Sequence, residues 1–310
     1  REVRETEGRT RIPNSFYLEE RMMKKFFALT LALLLALSLT ACGGDKTSDT
    51  TGGDDQQQTD GANTPDESGD GLTISVAASP TPHAEILNQC VPILAEQGIT
   101  LTVNEYSDYV IPNTAVEDGD EDANFFQHIP YLDDFNAERG THLVNVASVH
   151  IEPMGLYLNG VDSLDELPDG ATVAVPNDDT NEGRALLLLE SQGLIKLNDS
   201  SNLSSTPNDI AENPKNLQFL ELEAANVPAN LDEVALAAIN SNYALGAGLN
   251  PTTDAAVSES ADSSPYVNIL VVKEGNEQNP AVLALIEALH SDTIRNYIND
   301  TFGGAVVPAF

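Results

Sequence analysis

The chain has 310 residues, with 14 Lys and Arg against 49 Asp and Glu, and its formal charge at pH 7 is −35. So acidic a chain excludes nucleic acid as a partner, because a phosphate backbone is held by Lys and Arg and repels carboxylates. The charge favours solubility outside the cell and repulsion from anionic lipid heads, and it carries no information about fold.

Residues 1–21 hold no apolar run and begin at Arg1, so translation is expected to start at Met22 or Met23 and this stretch is set aside. Lys24 and Lys25 then precede an apolar run, Phe26–Leu39, of about 14 residues, short of the roughly 20 that span a bilayer. A cationic start, a short apolar stretch and a small-residue cleavage site make residues 22–41 a signal peptide. The site itself, Leu39-Thr40-Ala41-Cys42, resembles the bacterial lipobox, whose cysteine takes acyl chains such as palmitate and becomes the mature N-terminus. Lipid on Cys42, rather than a helix, is then expected to hold the protein to the bilayer on the extracytoplasmic face of the cell membrane.

From Cys42 onward seven Lys and Arg face 44 Asp and Glu, a formal charge of −37. Residues 42–71 are Gly, Asp, Thr, Gln and Ser with almost no apolar side chain, too little to offset chain entropy by burial, and are expected to form a disordered acidic tether. A flexible chain of that length averages about 30 Å end to end. The folded body that follows, about 240 residues, suits two medium lobes.

In chain order, the periodicity of the body predicts a strand at Leu72–Ala77, a helix at His83–Gln97, and strands at Thr100–Tyr106 and Val144–His150, the last continuing extended through Ile151–Leu158. Cys90 falls in step with Ile86, Leu87 and Leu94 on one helical face and reads as a small core residue rather than a reactive thiol. A short buried strand follows at Ala171–Val175, then a helix at Glu182–Gln192 with Asn181 as N-cap and Gly193 just past its end. Leu217–Leu222, Val234–Ile239 and Tyr266–Val272 add strands, and Pro280–Asn299 supplies closing helices. This alternation predicts an α/β fold with parallel sheets covered by helices on both faces.

No nucleophile elbow, H-E-x-x-H pair, Walker loop or nucleotide-type glycine fingerprint occurs. Asn177, Asp179 and Asn181 have the spacing of calcium-loop ligands, but Glu182 stands where such a loop needs glycine, so no metal site is expected. Two stretches stand out. Phe125-Phe126-Gln127-His128-Ile129-Pro130-Tyr131 gathers three aromatic rings and an imidazole, and reads either as core or as the wall of a ligand pocket. Asn177 to Arg184 is a polar loop feeding a helix, with Arg184 expected in the first turn, where the macrodipole disfavours a cation. Arg184 either takes an anion together with the helix-terminal N–H groups or pairs with one of the many Asp and Glu residues.

Six runs in order along the body carry a resemblance. They are Pro80-Thr81-Pro82-His83-Ala84-Glu85-Ile86-Leu87, Asp108-Tyr109-Val110 with Pro112-Asn113, Asn124-Phe125-Phe126-Gln127-His128, Glu152-Pro153-Met154-Gly155, Pro176-Asn177-Asp178 with Asn181-Glu182-Gly183-Arg184, and Ser264-Pro265-Tyr266-Val267-Asn268. Over nearly all of 72–310 they resemble the NlpA-type family of methionine-binding lipoproteins that serve ABC importers. The resemblance implies a two-lobed, type II periplasmic-binding-protein-like architecture with the ligand cleft between lobes, 72–147 with 273–310 forming one and 148–272 the other. It implies a solute-binding protein that delivers L- or D-methionine to a membrane permease, with another small apolar amino acid or a methionine dipeptide as alternatives.

The same resemblance places Tyr109, Phe126, His128 and Tyr131 around the thioether, where sulfur against ring edges gains about 0.3–1.5 kcal/mol per contact. It puts Arg184 on the carboxylate, and Asn240 and Asn268 on the ammonium and carboxylate. No enzyme activity and no cofactor are expected. The readings of another class are a surface interaction protein and an enzyme on the same scaffold with His128 as its base.

Overall fold

The computed structural model describes residues 71–310 apart from Ser263. The expected signal peptide, Cys42 and all but the last residue of the tether lie outside the described residues. Among the described residues no helix is long and apolar enough to cross a membrane.

The chain first lays down strands β1 (Thr73–Ala78), β2 (Thr100–Glu105), β3 (Ala123–His128) and β4 (Leu143–Ile151), interleaved with helices α1 (Glu85–Ala95), α2 (Ile111–Asp118) and α3 (Ile129–Arg139). It continues through β5 (Gly155–Leu158), β6 (Thr172–Pro176), α4 (Asp179–Ser191), the small pair β7 (Lys196–Leu197) and β8 (Ile210–Glu212), β9 (Gln218–Leu222), β10 (Leu236–Ile239), α5 (Ser241–Gly246) and β11 (Val257–Ser258). It ends with β12 (Val267–Lys273), α6 (Pro280–Leu289), α7 (Asp292–Phe302) and β13 (Val307–Pro308). Two main sheets result, ordered β13-β4-β12-β3-β1-β2 and β11-β5-β10-β6-β9.

The sheets are mixed, which corrects the expectation of parallel ones. β1 runs parallel to β2 and β3, and β6 parallel to β9 and β10, but β12 is antiparallel to both β3 and β4. The cause is topological. β4 carries the chain out of the first sheet and β12 brings it back beside β4, so the two must point oppositely. Residues 267–272, placed in the second lobe by the sequence, therefore hydrogen-bond inside the first sheet, with Asn268 opposite His128 on β3 and His150 on β4.

Both sheets are buried on both faces, the arrangement that turns strands into near-continuous apolar runs. Leu270 and Val272 of β12 pack with Val76, Ile86, Leu87, Cys90 and Leu285, while Ile269 and Val271 point oppositely to meet Val116 and Leu132. In the second sheet Val173, Leu236 and Ala238 meet Leu186 and Leu189 of α4, and Ala174, Ala237 and Ile239 cover the other face with Tyr157. Burying a leucine or valine of this kind contributes about 1.5–3 kcal/mol. Burial pushes the Cys90 thiol up to about 12, the state of an inert core residue.

Several boundaries differ from the sequence pattern for identifiable reasons. The extended run expected through Ile151–Leu158 breaks at Glu152-Pro153-Met154, where the chain changes sheets. α4 starts three residues earlier than expected, because Asp178 rather than Asn181 is the N-cap: its Oδ1 accepts the Asn181 N–H at 3.0 Å. β3 is buried at all six positions and shows no alternation to read, and α2 and α5 are too short to establish a helical period.

Candidate ligand-binding site

In open α/β sheets, ligands settle beyond the carboxyl ends of parallel strands. Here His128 closes β3, Asn240 directly follows β10, and the turn after β6 leads through Asp178 to Asn181 and Arg184. All seven residues nominated from the sequence, Tyr109, Phe126, His128, Tyr131, Arg184, Asn240 and Asn268, line one cavity.

One wall is aromatic. Successive side chains of β3 point to opposite faces, so Phe125 enters the core and Phe126 joins Tyr131 and Phe135. The Tyr109 ring lies 5.8 Å from each of Phe126 and Tyr131, which stand 6.0 Å apart, within the range of edge and tilted aromatic contacts. Tyr131 donates its hydroxyl to the Tyr109 carbonyl at 3.0 Å. Pro130 occupies the first turn of α3, where its missing N–H is no loss, and His128 caps that helix by accepting the Tyr131 N–H on Nδ1 at 3.2 Å.

His128 is buried, and burial reinforced by the Arg184 charge pushes it down to about 3, so it is a neutral imidazole. With Nδ1 accepting, Nε2 carries the proton and donates to Asn181 Oδ1 at 3.2 Å. Both ring nitrogens are thus engaged. The expectation that His128 is the one candidate general base meets an imidazole with no basic lone pair to spare.

The facing wall is polar. Asn181 Oδ1 also accepts Asn240 Nδ2 at 2.7 Å, and Asn181 Nδ2 donates to Asp178 at 2.8 Å. Asn240 Oδ1 is buried without a hydrogen-bond partner, which costs about 1–3 kcal/mol until a donor arrives. Asn268 accepts His83 Nε2 at 2.9 Å on its own Oδ1. Tyr109 bridges the walls, its hydroxyl donating to Asn242 at 2.6 Å.

Arg184 lies in the second turn of α4, not the first, so the helix-terminal N–H groups are not its partners. Its Nε donates to Glu259 at 2.9 and 3.0 Å, and its Nη2 donates to Glu259 at 2.5 Å and to the Glu152 carbonyl at 2.7 Å. Burial works against the guanidinium charge, and Glu259 more than offsets it, leaving the pKa above its ordinary value. Of the two readings left open by the sequence, an ion pair with an acidic residue is present, and Arg184 lines the cavity as well.

Sequence reasoning missed Gln127, Glu152, Asn181, Ser241 and Asn242, which line the same cavity. Gln127, Glu152 and Asn181 lie inside three of the runs that carried the resemblance, and Asn240-Ser241-Asn242 is a polar triplet directly after an apolar strand, so a signal existed for each. Behind the cavity Glu152 Oε1 sits 2.6 Å from His150 Nε2 and 3.2 Å from His83 Nε2. Burial pushes these imidazoles down to about 3 and about 4, and it pushes Glu152 up against the pull of His83 and Arg184. At 2.6 Å the pair is a hydrogen bond, since a metal about 2 Å from each ligand would hold them further apart.

Comparison with known proteins identifies the family. The NlpA lipoprotein family model matches residues 74–310. The methionine-binding lipoprotein MetQ of Bacillus subtilis is 41% identical over 291 residues, which cover 92% of this chain and 99% of that protein. The D-methionine-binding lipoprotein MetQ of Escherichia coli K12 is 46% identical over 212 residues, covering 68% of this chain and 78% of that protein. The solved structure of a nutrient binding protein from Burkholderia cenocepacia bound to methionine matches with a TM-score of 0.74 at 43% identity, covering 76% of this chain and 100% of that one. With the family pattern running from β1 to the last residue, the chain belongs to the NlpA lipoprotein family.

Proposed function

We propose that this protein is the lipid-anchored, extracytoplasmic solute-binding component of an ABC importer and that its ligand is methionine. The observation that carries the reading is the division of the cavity between three mutually packed aromatic rings and a buried polar wall of Arg184, Asn181 and Asn240. A thioether suits the rings, because sulfur at a ring edge is polarizable and needs no hydrogen bond. An α-ammonium suits the unpartnered Asn240 Oδ1, and an α-carboxylate suits the Arg184 guanidinium. The relatives named for methionine or D-methionine binding support the same ligand, and binding without turnover is consistent with a His128 that has no free base position.

The lobes proposed, redrawn at the sheet boundaries, are 72–151 with 267–310, and 155–258, with closure about the connections between them trapping the ligand. The anchor is lipid on Cys42 and the macromolecular partner is the importer's membrane permease. Replacing Cys42 with Ser should release the mature protein from membranes, and a variant that still sediments with them would overturn the anchor.

A thermal-shift screen of the twenty amino acids and both methionine enantiomers tests the ligand. Methionine should give the largest rise in Tm, since binding the folded state stabilises it by about 4 kcal/mol at a thousandfold excess over Kd. A larger response to an aliphatic amino acid, or no response to any, would overturn the reading.

A further inference from the structure

The guanidinium of Arg184 is already committed on most of its edge. Nε–H and both Nη2 hydrogens are taken by the Glu259 carboxylate and the Glu152 carbonyl, and the Tyr266 ring lies 4.2 Å from Cζ, covering one face. Among the described residues no hydrogen bond involves Nη1. An arginine carries five N–H donors in a rigid plane, so fixing three of them fixes where the other two point.

Glu259 is itself built in. Its Oε2 accepts the Met154 N–H at 2.8 Å and its backbone N–H donates to the Met154 carbonyl at 2.9 Å. Met154 belongs to one crossing between the sheets and Glu259 to the other, so Arg184, reaching from α4, is pinned against both connections at once.

From this arrangement we infer that Glu259 is a positioning residue for ligand recognition: it holds Arg184 by Nε and Nη2 so that Nη1 meets the ligand carboxylate in the cavity. The inference rests on the proposed function and extends it to a residue outside the cavity lining. Its physical content is geometric rather than attractive. The negative charge of Glu259 opposes a second carboxylate beside the same guanidinium, so its contribution to binding must come from orientation. An unheld arginine has to order its side chain in each binding event, and that entropy is charged against affinity.

Calorimetric titration of L-methionine and of L-methioninol, which carries a hydroxymethyl group in place of the carboxylate, tests the inference on the full chain. Glu259→Ala should weaken methionine at least tenfold and methioninol less than threefold. The double variant Arg184→Ala with Glu259→Ala should bind methionine no more weakly than Arg184→Ala alone, because a positioning residue has nothing left to position. Glu259→Gln, which still accepts on one oxygen, should fall between wild type and Glu259→Ala, and it carries the same comparison if the alanine variant does not fold. Equal losses for the two ligands would mean a general structural role and would overturn the inference, as would unchanged or tighter methionine binding by Glu259→Ala. Wild-type protein that binds no methionine would instead overturn the functional reading, and this inference with it.

Discussion

The two walls of the cavity are built by different physics. The aromatic wall, Tyr109, Phe126 and Tyr131, comes from neighbouring elements of the first sheet's lobe and is held by ring contacts and burial. The polar wall, Asn181, Arg184 and Asn240, comes from α4 and the start of α5 and is held by hydrogen bonds that reach as far as Glu259 and Asp178. The first kind of wall tolerates imperfect partners, because apolar contact is non-directional. The second does not, because a buried polar group left without its partner incurs the full desolvation cost. Damage to the polar wall should therefore be larger and more selective for ligand charge than damage to the aromatic one.

Arg184→Ala is the sharpest way to break this contrast. It should weaken methionine by about a hundredfold or more, since truncating a buried charge pair costs about 2–5 kcal/mol. It should also lower the stability of the ligand-free protein by about 3 kcal/mol, the low end for a severed buried pair because Glu259 is 15% exposed. Melting curves with and without methionine check both effects, and a ligand-induced shift that persists would place recognition elsewhere.

Phe126→Ala tests the other wall. Phe126 is 3% exposed, and truncating a buried phenylalanine costs about 3 kcal/mol of stability. The loss of affinity should be similar for methionine and methioninol, because no charge is touched. A loss confined to methionine would mean that the walls are not separable in this way.

Acidification compares the walls through their histidines. His128 of the aromatic wall and His83 and His150 behind the polar one are pushed down to about 3, about 4 and about 3, against 6.5 for a free imidazole. The unfolded chain therefore takes up protons that the folded protein refuses. The stability these groups contribute is fully present above pH 6.5 and is lost as pH falls from there toward 4 and 3. Denaturation midpoints measured from pH 8 to pH 4 should drop with a slope of up to about three protons, and His128→Gln should remove only its own share.

Tyr131→Phe is the smallest change. It deletes the bond from the hydroxyl to the Tyr109 carbonyl while leaving the ring, so stability should fall by about 1 kcal/mol with methionine affinity changed less than threefold. A larger loss of affinity, read by titration, would mean that the hydroxyl orients Tyr109 for the ligand.

Much of this molecule was legible from local pattern, and the parts that were not share a cause. The strands with apolar cores and clear flanks, such as Thr73–Ala78 and Leu236–Ile239, were read to within a residue or two. β3 was not, because a strand buried on both faces loses the alternation that identifies it. The start of α4 was misread because Asn177, Asp178 and Asn181 are all good capping residues, and only the three-dimensional turn decides which side chain accepts.

The sequence by itself determined the α/β class and the composition of both walls, and the family it resembles implied the seven positions that meet in the cavity. Class and wall composition depend on side-chain chemistry and spacing, which a linear chain carries. Only the tertiary structure decided that β12 returns into the first sheet, that Arg184 is braced by a carboxylate 75 residues away, and that His128 has both nitrogens occupied. Each of these is a pairing between segments distant in sequence, and among so many acidic residues no local rule distinguishes Glu259 from the rest until folding brings it to the guanidinium.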